Sequence, residues 1–303
     1  PRTPQPVMSE PADRSCMNCG SPLLGRYCSR CGQDNRDRIG PLRELLADVL
    51  DELFSLDGRL FRTTKHLVTR PGALTTAYLA GQRVPYLRPF RLFVVSGILI
   101  LLVTSLGRTL TDSRGVPMLK PAVNVFISGD EIQRMYAEAD SARARGTLAG
   151  SVEAVFIDGA ARAGENPDRV NRVFQERLSI LAAMLLPAFA GLLQLLFGGR
   201  FYTEHVIHAL HLHAFLFLLA SAYLTVTYVI RTIDATQTAE VLIPLAALTT
   251  VGTLLWYGFR SLRRVYCQPF QTTLWKGGLL LVMNGLVFAA GLVVHLFGTL
   301  ILA

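Results

Sequence analysis

Two clusters in this 303-residue chain have the residue types and spacing to do chemistry. The first is CMNCGSPLLGRYCSRCGQ. Cys16 and Cys19 form one pair, Cys28 and Cys31 a second, and Gly20 and Gly32 end them. Each Cys-x-x-Cys-Gly turn holds two thiolates on a tight knuckle, where Gly accepts dihedrals other residues resist. Together the four thiolates make a tetrahedral ligand set, the signature of structural zinc. Two disulfides are one rival reading, and they fit a reducing cytoplasmic segment badly. Rubredoxin-like iron is another, because four thiolates alone do not select the metal. Four closed ligands leave no open position for catalysis, so such a site stabilises a small fold or binds something.

The second cluster is YTEHVIHALHLHAF, which holds four of the six histidines: His205, His208, His211 and His213. On a helix with Glu204 at 0°, His208 falls at about 40° and His211 at about 340°. These three share a face, while His205 and His213 point elsewhere. Glu204, His205, His208 and His211 are therefore a candidate polar or metal site inside a membrane, if other helices complete the shell. The competing expectation, and the favoured one, is a polar seam: imidazoles bonded to neighbouring helices, with Glu204 paired to an Arg such as Arg264. A desaturase-type di-iron centre needs more histidines, in separate boxes, than this chain has. A b-type haem needs two axial ligands at matching depth. His295 would lie about 27 Å into the last apolar block and His211 only about 10 Å into its own, so they cannot share one.

These clusters sit on long apolar blocks. Hydrophobic residues make up 51% of the chain, and five blocks approach the roughly 20 residues that a helix needs to cross a bilayer. They cover residues 92–107, 178–198, 206–230, 241–259 and 277–303. The expected fold is an all-α polytopic membrane protein of about five transmembrane helices behind a small zinc ribbon at 16–35. No basic stretch followed by an apolar core marks a cleaved signal peptide near the start. Orientation follows from Lys and Arg. No acidic residue occurs from Gly58 to Leu110, and the loop after the fourth block carries Arg260, Arg263, Arg264 and Lys276 without an acid. All basic loops fall on one side if the N-terminus is cytoplasmic and the C-terminus external, as in a bacterial inner membrane. The net charge of +8 is then a topology signal and an attraction to anionic headgroups; nothing in it points to nucleic acid.

Around these blocks, residues 1–15 read as a polar, Pro-rich disordered tail. Residues 41–56 place Leu42, Leu45, Leu46, Val49, Leu50, Leu53 and Phe54 at helical spacing opposite a mainly acidic face. Residues 41–91 as a whole read as cytoplasmic and interfacial amphipathic helices. Within them Leu60, Phe61, Leu67 and Val68 stand against Arg59, Arg62, Lys65, His66 and Arg70, a basic amphipathic helix that stops at Pro71–Gly72. A second short helix ends before Gly81. Tyr78, Tyr86, Phe90 and Phe93 form an aromatic belt, and Arg83, Arg88 and Arg91 sit at headgroup level as candidate contacts to anionic lipid. Residues 108–177 form an external insertion, helical over 129–145 and 166–177, and residues 178–303 hold the remaining spans.

The ribbon, the FSLD…RPG…YLAGQRVPYLRPFRLF block and the EHVIHALHLH segment together resemble an uncharacterised bacterial membrane family, a domain of unknown function with an N-terminal zinc ribbon. The likeness runs from Cys16 to roughly Leu219. It implies the architecture and carries no mechanism. The functional expectation is a non-enzymatic membrane adaptor or scaffold whose cytoplasmic ribbon docks a protein partner. The first alternative passes a small cation or proton along Glu204, His208 and His211. The second is an enzyme acting on lipid headgroups, for which no nucleophile is identifiable.

Overall fold

A computed structural model describes residues 15–34, 58–110, 128–233 and 237–302. The tail before residue 15 and the acidic amphipathic helix expected over 41–56 lie outside them. The described chain is helical: α1 (Gly58–Thr69), α2 (Ala73–Leu79), α3 (Pro89–Thr109), α4 (Gly129–Ala144), α5 (Leu148–Glu165), α6 (Pro167–Phe197), α7 (Tyr202–Ile233), α8 (Gln237–Tyr266) and α9 (Phe270–Leu302). Among the described residues there is no strand, only isolated bridges between Ser15 and Pro22 and between Tyr27 and Asp34 that close the two cysteine knuckles.

Four helices, α3, α7, α8 and α9, are long and apolar enough to cross a membrane. The 21 residues of α3 rise about 31 Å, the thickness of a hydrocarbon core. These helices leave Leu101, Trp256, Leu286 and Val294 exposed, an apolar surface of the kind that marks a membrane or partner contact. The block expected as a fifth span falls in α6, whose described apolar run, Met184–Phe197, is shorter. Among the described residues, four helices meet both the length and the apolarity that a crossing needs; α6, 31 residues long, runs back between the parallel α3 and α7.

Side-chain contacts set the helix directions. Phe93 and Gly97 at the start of α3 meet Phe217 of α7, and Gly107 at its end leaves room for the Tyr228 hydroxyl, so α3 and α7 run parallel. Helix α8 returns antiparallel, with Phe215 stacked on Tyr257 at 3.5 Å. Phe174 of α6 meets His295 of α9, and Phe197 meets Lys276, so this pair is antiparallel too. In the insertion, α4 and α5 form a hairpin around Ala139, Ala142 and Ala154. Side-chain caps start the helices that follow: Thr147 Oγ1 accepts from the Gly150 N–H at 3.1 Å and Asn166 Oδ1 from the Arg169 N–H at 3.1 Å.

The segment ahead of α3 folds back on the bundle. Helix α1 ends at the RPG turn, where Gly72 takes φ +73° against the Ser261 backbone of α8. The Tyr257 hydroxyl donates to the Leu67 carbonyl at 2.9 Å, and the Arg264 guanidinium donates to the Pro71 carbonyl at 2.9 Å. Inside the segment, the Leu87 N–H donates to Thr63 Oγ1 at 2.9 Å, which ties the approach to α3 back onto α1. The basic turns of α8, the start of α7 and the ribbon consequently share one end of the molecule.

Candidate metal centre and polar seam

The two cysteine knuckles repeat each other with an offset of twelve residues. In the first, the Cys16 N–H donates to the Ser21 carbonyl at 2.8 Å and the Gly20 N–H to the Cys16 carbonyl at 2.8 Å. In the second, Cys28 pairs with Gln33 at 2.9 Å and Gly32 with Cys28 at 2.8 Å. Gly20 and Gly32 have φ +72° and +70°, the left-handed turn that aims both thiols inward. The four Sγ atoms lie within 4.8 Å of one another. Cys16 to Cys31 and Cys19 to Cys28 each measure 3.6 Å, close to the roughly 3.8 Å edge of a tetrahedron with 2.3 Å metal–sulfur bonds. The cysteines are free thiols, and these separations are far beyond a disulfide bond of about 2.05 Å. The donor set therefore fits a tetrahedral metal ion. The Ser21 hydroxyl, and after it the Ser21 amide, hold the Cys19 thiol below its ordinary range, in the direction of the thiolate that binds metal.

The ribbon is fastened to the rest of the chain through the residue after its second knuckle. The buried Gln33 amide donates from Nε2 to the Gly81 carbonyl at 2.7 Å and accepts at Oε1 from the Arg83 N–H at 3.3 Å. Met17 of the first knuckle lies over Gly81, where an added Cβ would come 2.7 Å from its sulfur. Gly81 has φ +87°, and both its conformation and its missing side chain are needed for this contact. In the sequence Gln33 carries one signal, its place directly after Cys31–Gly32.

His205, His208 and His211 divide among three side-chain partners. His205 Nδ1 lies 2.8 Å from the Tyr266 hydroxyl, and His208 Nδ1 lies 3.4 Å from the same oxygen. His208 Nε2 reaches Ser261 Oγ at 3.0 Å, and His211 Nδ1 reaches Thr75 Oγ1 of α2 at 3.0 Å. His205, His208 and His211 are all buried. Two nitrogens, His205 Nε2 and His211 Nε2, are buried without a protein partner. His213 turns back to its own helix, with Nδ1 2.8 Å from the Ala209 carbonyl. Glu204 pairs with Arg200 at 2.8 Å rather than with Arg264. Arg264 is held on Pro71, while Arg200 stands one turn before Glu204 and also donates to the Val265 carbonyl at 3.0 Å. Helix rotation puts Glu204, His208 and His211 on one face, yet each is drawn to a different neighbour. Among the described residues the cysteine cage is where three or more such ligands converge. Thr75, Ser261 and Tyr266, which complete the seam, were invisible in the sequence because only the register of α7 against α2 and α8 selects them.

The three candidate lipid-contact arginines differ in setting. Arg83 lies over the Tyr78 ring at 5.2 Å, Arg88 is half-buried at the start of α3, and Arg91 is only 5% exposed.

Set beside known proteins, no curated protein and no solved structure matches the chain. A family model described as "Protein of unknown function (DUF3667)" matches residues 57–101. That stretch is α1, the RPG turn, α2, the Gly81 turn that holds the ribbon and most of α3, so the chain is similar to this family in the segment joining its metal centre to its seam.

Proposed function

We propose that this chain is a membrane-integral adaptor in which a helical bundle holds a zinc ribbon at the cytoplasmic membrane surface for a protein partner. The observation that carries the reading is the closed four-thiolate cage fastened by Gln33 and Met17 to the turn before α3. Four sulfurs saturate a tetrahedral ion and leave no position for water or substrate, which favours a structural role over catalysis. Zinc is the ion that this ligand set ordinarily holds in a reducing compartment. Docking consumes the Gln33 and Met17 side of the ribbon. The opposite tip stays exposed, with Leu24 at 91% and Tyr27 at 57%, beside Arg26. Aromatic residues and arginine are enriched where proteins recognise one another. The cytoplasmic placement is supported by the convergence of Arg200, Arg260, Arg263, Arg264 and the ribbon at one end.

A second reading, passage of a small cation or proton, is favoured by the two imidazole nitrogens buried without partners in the seam. One experiment separates the two. Metal per chain is measured for the detergent-purified protein and for the variant with Cys16, Cys19, Cys28 and Cys31 changed to Ser, alongside cation and proton flux in proteoliposomes. The adaptor reading expects one zinc per chain, none in the variant, no flux, and a discrete protein adduct from a photo-cross-linker at position 24 that the variant loses. Flux that disappears in Glu204→Gln or His208→Ala would replace that reading with the second.

A further inference from the structure

Helix α1 is apolar on two sides. Its inward stripe is Leu60, Thr63 and Leu67, with Thr63 and Leu67 buried. Counted from Phe61 at 100° per residue, Lys65 falls at about 40° and Val68 at about 340°, on the side away from that stripe. Phe61 is 79% exposed and Val68 46%. A large aromatic and a branched aliphatic side chain therefore face outward among cations, and neither the metal centre nor the seam uses them.

Depth and charge decide what covers this stripe. The end of α1 lies against the last turns of α8, through Tyr257 on Leu67, Arg264 on Pro71 and Ser261 on Gly72. Those same turns carry Arg260, Arg263 and Arg264, and a spanning helix acquires such a cluster where it leaves the hydrocarbon. Helix α1 thus lies at the level where α8 passes from apolar to basic. Arg62 and Lys65 add charge there, and Arg70 follows at the end of the helix. No acidic residue occurs from Gly58 to Leu110 or after Glu240, and the ion pairs of the described residues involve none of these three. An apolar stripe edged by cations at headgroup depth is complementary to an anionic phospholipid surface.

We infer that α1 is an interfacial lipid-contact helix: Phe61 and Val68 enter the headgroup–acyl boundary, and Arg62, Lys65 and Arg70 engage phospholipid phosphates. This places the anionic-lipid contact on the helix before the RPG turn rather than on Arg83, Arg88 and Arg91. The test uses the full chain carrying Phe61→Cys, with Cys267 and the four ribbon cysteines changed to Ser, labelled at position 61 with the environment-sensitive NBD fluorophore. It is reconstituted in nanodiscs of phosphatidylcholine mixed with phosphatidylglycerol. The proposal expects blue-shifted emission, quenched by shallow-brominated lipid and insensitive to aqueous iodide. Quenching by iodide alone would overturn it and leave the stripe to a soluble partner. A second arm leaves Phe61 in place and changes Arg62, Lys65 and Arg70 to Gln. The phosphatidylglycerol that co-purifies, relative to phosphatidylcholine, then falls about threefold or more, in line with the loss of three surface cations. An unchanged ratio, or one that falls only in Arg83→Gln with Arg88→Gln, would overturn the assignment.

Discussion

Gly72 sits where α1 turns into α2, with φ +73° and so little space that a Cβ would lie 2.9 Å from the Ser261 carbonyl. Both constraints oppose a side chain, and the obstructing atom is backbone. Gly72→Ala is expected to destabilise the protein by roughly 1–3 kcal/mol, the cost of a strained left-handed residue with a contact to relieve. Gly258→Ala, in α8 with open space around it, is expected to be neutral or slightly stabilising. Thermal unfolding in detergent compares the two, and equal midpoints would show that the RPG turn is not under this constraint. His66 offers a pH test. It stacks on Tyr86 at 5.0 Å, and both its ring nitrogens are buried without a partner. Burial, then the charges of Arg70 and Arg264, hold its pKa below the ordinary 6.5. The unfolded chain therefore binds this proton more readily than the folded one. The stability His66 contributes is complete above pH 6.5 and declines as pH falls through that value toward the folded pKa. Wild-type unfolding midpoints should drop more steeply than those of His66→Gln between pH 7 and about 5. Parallel curves would mean that His66 is hydrated.

At the scale of elements, the ribbon and the turn before α3 behave as one joint. Gln33 makes two hydrogen bonds across it and is itself buried. Removing its amide leaves the Gly81 carbonyl and Arg83 N–H without their partner, at about 1–3 kcal/mol for each group that water cannot reach. Gln33→Ala is therefore expected to release the ribbon while its own knuckle bonds, which use backbone, keep the metal cage intact. Hydrogen exchange at residues 81–83 should speed up with metal content unchanged; unchanged exchange would place the joint on Met17 instead. The seam works differently. Its contacts join α7 to α2 and α8 through single bonds, each of the kind that contributes ~0.6 kcal/mol between membrane helices. Its role in holding α2 against the bundle comes from their number.

For the whole molecule, topology is the property most open to direct measurement. The ribbon, the start of α7 and the end of α8 lie at one end, and exposed Cys267 follows α8 there. In a variant with the four ribbon cysteines changed to Ser, an impermeant maleimide should label Cys267 only when the ribbon's face of the membrane is open to it. With cytoplasmic placement, intact cells stay unlabelled and inverted vesicles react. Labelling in intact cells would reverse the orientation and leave the fold unchanged.

The sequence by itself determined what local chemistry determines. Cys-x-x-Cys-Gly written twice specifies two knuckles, because the glycine turn and the thiol spacing lie within a few residues. Long apolar blocks specify membrane-length helices, and Pro71–Gly72 and Gly81 specify where α1 and α2 stop. Hydrophobic spacing also marked α1 as amphipathic, but it assigned Phe61 and Val68 to the same apolar side as Leu60 and Leu67. Only the packing of α1 on α8 sent one pair inward and the other out. The histidines show the same limit. A helical wheel gives each side chain a direction, and direction suggested a shared face for Glu204, His208 and His211. What each residue meets depends on the register of neighbouring helices, set by contacts between residues far apart in the chain, such as Tyr266 with His205 and Thr75 with His211. Glu204 lost Arg264 for that reason, since α8 holds Arg264 on Pro71, and it pairs instead with Arg200 four residues before it; Gln33, unremarkable in the sequence, became the joint between the metal centre and the membrane segment.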